Sequence, residues 1–155
     1  MPSVELNKTI PDFEATATGD QTVRLADLRG RNVVIYFYPK DDTPGCTTES
    51  QDFRDNMQTF TEHDTEIFGV SRDGLKSHDN FRGKFELPFH LISDEDEKLC
   101  ALIDVIKLKK LYGKEYMGID RSTFLIDAKG VLRQEWRGVK VPGHVDEVLA
   151  AVKAL

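Results

Sequence analysis

Val33-Val34-Ile35-Tyr36-Phe37-Tyr38-Pro39-Lys40-Asp41-Asp42-Thr43-Pro44-Gly45-Cys46-Thr47-Thr48-Glu49 carries the reading on which the fold depends. The unbroken apolar run 33–38 predicts a buried strand. Pro39 terminates it. A helix start follows. Thr43 is a good N-cap, Pro44 takes the first helical position, and Pro44 biases Thr43 towards the extended backbone that a cap requires. Cys46 is then the third helical residue, where open backbone N–H groups and the positive dipole end favour the reactive thiolate. Gly45 offers no side chain to shield it. Phe53, Met57 and Phe60 recur at helical spacing and form an inward face. Cys46 lies seven residues before Phe53, so it is expected to be half-sheltered. Its position also fits a second reading, a small buried hydrophobe.

Outward from this stretch the chain alternates strands and helices without a linker or repeat. Residues 13–17 and 22–25 flank Gly19-Asp20 as an N-terminal β-hairpin, and 25–28 read as a short helix ending at Gly30. The first long helix is predicted over 43–60, a second core strand over 67–70, a helix over 75–85 and a short strand over 89–92. Ser93 is expected to cap a helix running to about 103, with acids crowding its first turn. Strands 122–126 and 131–136 join across the turn 127–130. An amphipathic helix, 145–155, closes the chain. The pattern β-α-β-α, hairpin, helix predicts an α/β fold, a mixed central sheet flanked by helices.

Composition narrows the function classes. The chain of 155 residues suits one domain, 1–155, and no apolar run is long enough to span a membrane. Two cysteines do not make a disulfide scaffold, so a reducing, cytoplasmic setting is expected. A net charge of −6 with scattered basic residues argues against nucleic-acid binding. Lys107, Lys109, Lys110 and Lys114 read as a solvated face, with partner docking as the alternative. His63, His78, His90 and His144 share no metal-ligand spacing and read as solvated or core residues. The glycines form no phosphate loop. No cofactor or metal is expected. Without a C-x-x-C pair, dithiol exchange is not expected.

The spacing Pro39-x-x-x-Thr43-x-x-Cys46 resembles the active-site signature of the peroxiredoxins. The wider string from Tyr36 to Glu49 resembles their Q-type, or bacterioferritin-comigratory-protein, branch. The likeness extends through Ile10-Pro11-Asp12-Phe13, Ile92-Ser93-Asp94-Glu95-Asp96 and Gly118-Ile119-Asp120-Arg121-Ser122-Thr123-Phe124-Leu125-Ile126-Asp127. It implies a thioredoxin-like fold and reduction of hydrogen peroxide and organic hydroperoxides through a sulfenic acid on Cys46. It implies that Arg121 lowers the thiolate pKa and contacts peroxide, that Thr43 contacts substrate, and that Pro39 shields the sulfur. Arg121 suits that task on its own chemistry, being always charged and carrying several donors. A strand-end ion pair with Asp120 or Glu49 is its plainer reading. Glu49 is either a buttress for Arg121 or a surface acid.

Two departures concern recycling. Many Q-type members carry a second, resolving cysteine five residues after the first or in the following helix, where this chain has Gln51 and Arg82. Cys100 borders an apolar helical face and is expected to be a packing residue rather than a resolving one. The expectation is therefore a single-cysteine enzyme, monomer or weak homodimer, recycled by thioredoxin, glutaredoxin or a small thiol. The alternative is a redox-sensing or chaperone-like binding module switched by oxidation of Cys46.

Overall fold

The computed structural model, which describes residues 4–155, places the apolar run inside a seven-stranded sheet. Its elements are β1 (Glu14–Ala17), β2 (Gln21–Arg24), a 3-10 turn (Leu25–Leu28), β3 (Asn32–Phe37), α1 (Pro44–Asp55), α2 (Met57–Glu62), β4 (Thr65–Ser71) and α3 (Leu75–Lys84). There follow β5 (His90–Ser93), α4 (Lys98–Ile103), β6 (Ile106–Leu111), β7 (Lys114–Ile119), β8 (Ser122–Ile126), β9 (Leu132–Arg137) and α5 (His144–Lys153). The strand order is β2-β1-β5-β4-β3-β8-β9, and β6 and β7 pair with each other. β4 is parallel to β3 and to β5, while β8 is antiparallel to β3 and to β9. The expected N-terminal hairpin, β1 with β2, joins the sheet through β5. This is the mixed, helix-covered, thioredoxin-like architecture.

Alternation along β3 creates two cores. Val33, Ile35 and Phe37 enter one, with Phe68, Val70, Leu99, Cys100, Ile103 and Phe124. Val34 and Tyr36 enter the other, with Cys46, Phe53, Phe60, Phe81 and Val148. Successive strand side chains point to opposite faces, so the two cores lie on opposite sides of the sheet. α4 covers one side, and α1, α2, α3 and α5 the other. Tyr36 stacks on Phe53 with ring centroids 4.6 Å apart, which fastens α1 to β3. Gly69 makes this possible: a Cβ there would sit 2.8 Å from Tyr36 and Leu91 side-chain atoms.

Three elements differ from their sequence reading. The long helix breaks at Asn56, whose Nδ2 donates to the Asp52 carbonyl at 2.8 Å, so α1 and α2 are separate. Ser93 does not cap α4. It ends β5, and Asp94 instead accepts from the Leu99 and Cys100 N–H groups at 3.0 and 2.7 Å. The acids precede the helix because Glu97 adopts a left-handed backbone before Lys98. Residues 106–119 form an unanticipated hairpin, β6–β7, turning at Tyr112 and Gly113, both at positive φ. No described helix is long and apolar enough to cross a membrane.

Candidate active site

Thr43 is the N-cap of α1 by backbone, with φ −98° and ψ 155°, and Pro44 is the first helical residue. Its hydroxyl does not cap the helix, contrary to the simplest expectation. It donates to the Lys40 carbonyl at 2.9 Å. The first-turn N–H groups of Gly45 and Cys46 therefore remain open to a ligand, at the positive end of a twelve-residue helix. Pro39 is a half-buried bend between β3 and this loop. Cys46 is only 1 % exposed, deeper than the half-sheltered position expected. It belongs to the core on that face of the sheet, and Arg121 lies against the sulfur.

Topology delivers Arg121 across 75 residues. β8 pairs antiparallel with β3 and sets Ser122 opposite Phe37, so Arg121 lies beside the end of β3. Its Nη2 donates to Cys46 Sγ at 3.3 Å, and its Nη1 donates to Glu49 Oε1 at 2.7 Å. The ion-pair and sulfur-contact readings thus hold together, one per arm of the fork, with Glu49 rather than Asp120 as the acid. Gly45 leaves room, since a Cβ there would come within 3.3 Å of Arg121 Nη2. Burial opposes the Arg121 charge, but Glu49 and Cys46 outweigh it and hold its pKa above the ordinary value.

Glu49 is fully buried, so the surface-acid reading is overturned. Burial raises its pKa to about 7 against the pull of Arg121. Its Oε2 has no hydrogen-bond partner. A carboxylate is tolerated there because Arg121 faces it. Behind the arginine, His144 Nε2 meets Thr123 Oγ1 at 2.8 Å. Burial and the Arg121 charge push His144 down to about 4, so the ring is neutral near pH 7 and adds no second cation. Lys109 of β6 also borders the site: burial lowers its pKa, and Asp120, Arg121 and Cys46 all act on its charge. Sequence reasoning missed this neighbour because it missed the hairpin. Of the other three lysines, Lys107 pairs with Asp104 and Lys110 with Glu115.

Cys100 is fully buried in the core on the opposite side of the sheet. Burial, reinforced by Asp94, pushes its thiol far above the ordinary range. Gln51 lies in α1, and Arg82 in α3 donates through Nε to the Phe89 carbonyl at 2.9 Å. A concavity of about 490 Å³ lies elsewhere, lined by Glu14, Thr16, Leu75, Ser93, Glu95 and Lys98, and no cysteine lines it. The candidate constellation is instead a sulfur at a helix N-terminus, a guanidinium bridging that sulfur and a carboxylate, and a hydroxyl whose hydrogen is already committed.

The chain is similar to known proteins along most of its length. Residues 6–135 match the AhpC/TSA family. The chain is 52% identical to peroxiredoxin Bcp of Bacillus subtilis over 97% of its length and 96% of the relative's. It is 50% identical to peroxiredoxin Bcp of Xanthomonas campestris, covering 97% and 94%. Among solved structures, a cysteine-to-serine mutant of Xylella fastidiosa PrxQ superposes with TM-score 0.93 at 41% identity, covering 97% and 96%. A structure of the Xanthomonas campestris bacterioferritin comigratory protein, concerned with its alkyl peroxide reduction activity, superposes with TM-score 0.88 at 51% identity, covering 92% and 90%.

Proposed function

Since the chain belongs to the AhpC/TSA family, in its Q-type or Bcp peroxiredoxin branch, and is a thiol-dependent peroxidase, we propose that Cys46 is its peroxidatic sulfur and Arg121, Thr43 and Pro39 its catalytic partners. The observation that carries this assignment is the bridge Cys46–Arg121–Glu49, at 3.3 and 2.7 Å. Arg121 favours the thiolate and presents donors towards the bond that breaks. The thiolate attacks the terminal oxygen of R–O–O–H, an S–O bond forms as the O–O bond breaks, and the electron pair leaves on RO⁻. Charge on that oxygen is met by Arg121 and the open N–H groups of α1. Proton uptake releases alcohol, or water when R is hydrogen, and Cys46 becomes a sulfenic acid.

Thr43 has one role open to it. With its hydrogen given to the Lys40 carbonyl, its oxygen accepts the hydroxyl hydrogen of the peroxide and so orients the O–O bond. Pro39 excludes water from the loop, and Glu49 supports Arg121. Cys100, behind the sheet, takes no part. A thiol R′SH then condenses with the sulfenic acid to give a mixed disulfide and water, and a second thiol releases Cys46–SH and a disulfide. Thioredoxin, glutaredoxin or a small thiol fills that role in a reducing, cytoplasmic setting. Alkyl hydroperoxides are substrates alongside hydrogen peroxide. All the site residues come from one chain acting as one domain, so a monomer or weak homodimer suffices.

The test is turnover. With excess thiol donor the protein should consume many peroxides per chain, Cys46→Ser should consume none, and Cys100→Ser should retain most activity. Equal loss in two folded variants would place Cys100 in the cycle. A wild type that stops after one peroxide per chain, thiol present, would favour the redox-switched module.

A further inference from the structure

A second polar cluster, buried beneath the same loop, is centred on Asp41. Its Oδ1 accepts from Tyr38 Oη at 2.6 Å, and its Oδ2 accepts from Ser77 Oγ at 2.8 Å and faces His78 Nδ1 at 2.7 Å. His78 is fully buried, and its Nε2 lies 2.9 Å from the Ile92 carbonyl. A carbonyl oxygen only accepts, so Nε2 carries a hydrogen. A proton must also lie between Nδ1 and Asp41, whichever of the two owns it. Asp73 adds another anchor: its Oδ2 accepts from the Asp41 N–H at 2.8 Å and from Ser71 Oγ at 2.6 Å. The three side chains have the composition of a cation site, and their ligand atoms lie within 4.8 Å of one another. Yet the facing oxygens already accept hydrogens from protein donors, which identifies the cluster as a hydrogen-bond network.

One peptide group joins this network to the reactive site. The Lys40–Asp41 amide gives its N–H to Asp73 and its C=O to the Thr43 hydroxyl, at 2.8 and 2.9 Å. The plane of that amide is therefore held at both ends, and its carbonyl sets the direction in which Thr43 presents its lone pairs. We propose that Asp41 and His78 are positioning residues for peroxide reduction: through the Lys40–Asp41 amide they aim the Thr43 oxygen at the substrate, beside Cys46. Neither touches the reacting atoms. This rests on Cys46 being the peroxidatic sulfur, and Cys46→Ser checks that premise separately.

Two isosteric substitutions divide the contacts of the ring. In His78→Asn the amide nitrogen replaces Nδ1 and keeps the donor to Asp41. In His78→Gln it replaces Nε2 and keeps the donor to Ile92, leaving Asp41 with Tyr38 and Ser77 alone. Each removes one of the two hydrogen bonds of the ring, so a merely structural role predicts similar effects from both. The measurement is the single-turnover rate of Cys46 with hydrogen peroxide, divided by its alkylation rate with iodoacetamide, which needs a thiolate but no aligned O–O bond. His78→Gln should lower that ratio about tenfold, and His78→Asn should stay within about threefold of wild type. In a Thr43→Val background His78→Gln should cost nothing further, because its effect passes through Thr43. Tyr38→Phe removes another donor to Asp41 and should move the ratio in the same direction, which keeps the test open if His78→Gln does not fold. Equal ratios for the two His78 variants, an unchanged ratio in both His78→Gln and Tyr38→Phe, or full additivity with Thr43→Val would overturn the proposal.

Discussion

Replacing Glu49 by Gln should flatten the pH dependence of stability between pH 5 and 8. In the folded chain burial raises this carboxyl from 4.5 to about 7, whereas in the unfolded chain it titrates at its ordinary value. The folded state therefore holds the proton more tightly. The resulting stabilisation is fully present below about pH 4.5 and is lost as pH rises through 7. From pH 8 down to pH 5 the folded chain carries that extra proton over roughly two units. At about 1.4 kcal/mol per unit this amounts to about 2 to 3 kcal/mol. In a chain of this size it corresponds to a Tm difference of about 4–12 °C. Gln keeps the volume and one oxygen for Arg121 but does not titrate. Urea denaturation of both proteins under reducing conditions at several pH values reads the effect directly. Wild type should gain about 2 to 3 kcal/mol on going from pH 8 to pH 5 that the variant does not. Stability curves that run parallel to within about 0.5 kcal/mol would mean that Arg121 holds Glu49 ionised throughout, and that the ion pair, not burial, governs it.

Arg121→Lys keeps a charge but not two donors splayed between Cys46 and Glu49. Single-turnover peroxide reduction should fall at least about tenfold, or about 1.4 kcal/mol of transition-state stabilisation, and an unchanged rate would remove Arg121 from the reaction. Excess peroxide without thiol should carry Cys46 on to sulfinic and sulfonic acid, seen by peptide mass, and Gln51→Cys should slow this by offering a partner on the same helix. A quantitative Cys46–Cys100 disulfide would contradict that expectation. Gly69→Ala should cost about 1–3 kcal/mol in chemical denaturation, since its Cβ would press on Tyr36 and Leu91 at 2.8 Å. A neutral result would show that the Tyr36–Phe53 stack can shift.

The features visible in the sequence were those with local causes. A solid apolar run, a proline at N1 and a cysteine two residues later announce β3, the start of α1 and the candidate nucleophile without help from the rest of the chain. Arg121 was legible for a related reason, because a charge opening a strand of buried residues needs an explanation. Glu49 was ambiguous because an acid in the first turns of a helix is ordinarily a solvated one. Its burial comes from a guanidinium 72 residues away. The β6–β7 hairpin escaped because Lys107, Lys109, Lys110 and Lys114 mask a strand whose outer face is wet. Its turn, Tyr112-Gly113, places a non-glycine residue at positive φ. The Asp41–His78 pair left no local trace, since two polar residues 37 apart look like loop and helix surface until the fold buries both.

The sheet between the two cysteines determines the reaction order of recycling. A disulfide needs Cα atoms within about 7 Å, and two residues packed on opposite faces of a sheet do not meet that condition while the sheet is intact. On the proposed assignment, oxidised Cys46 is therefore not resolved in a first-order step inside its own chain. Every cycle waits on a collision with another thiol, and the steady-state rate should rise in proportion to thiol concentration wherever peroxide is plentiful. Such a protein clears peroxide only as fast as its surroundings supply electrons. Its oxidised fraction then reports the ratio of peroxide influx to available thiol.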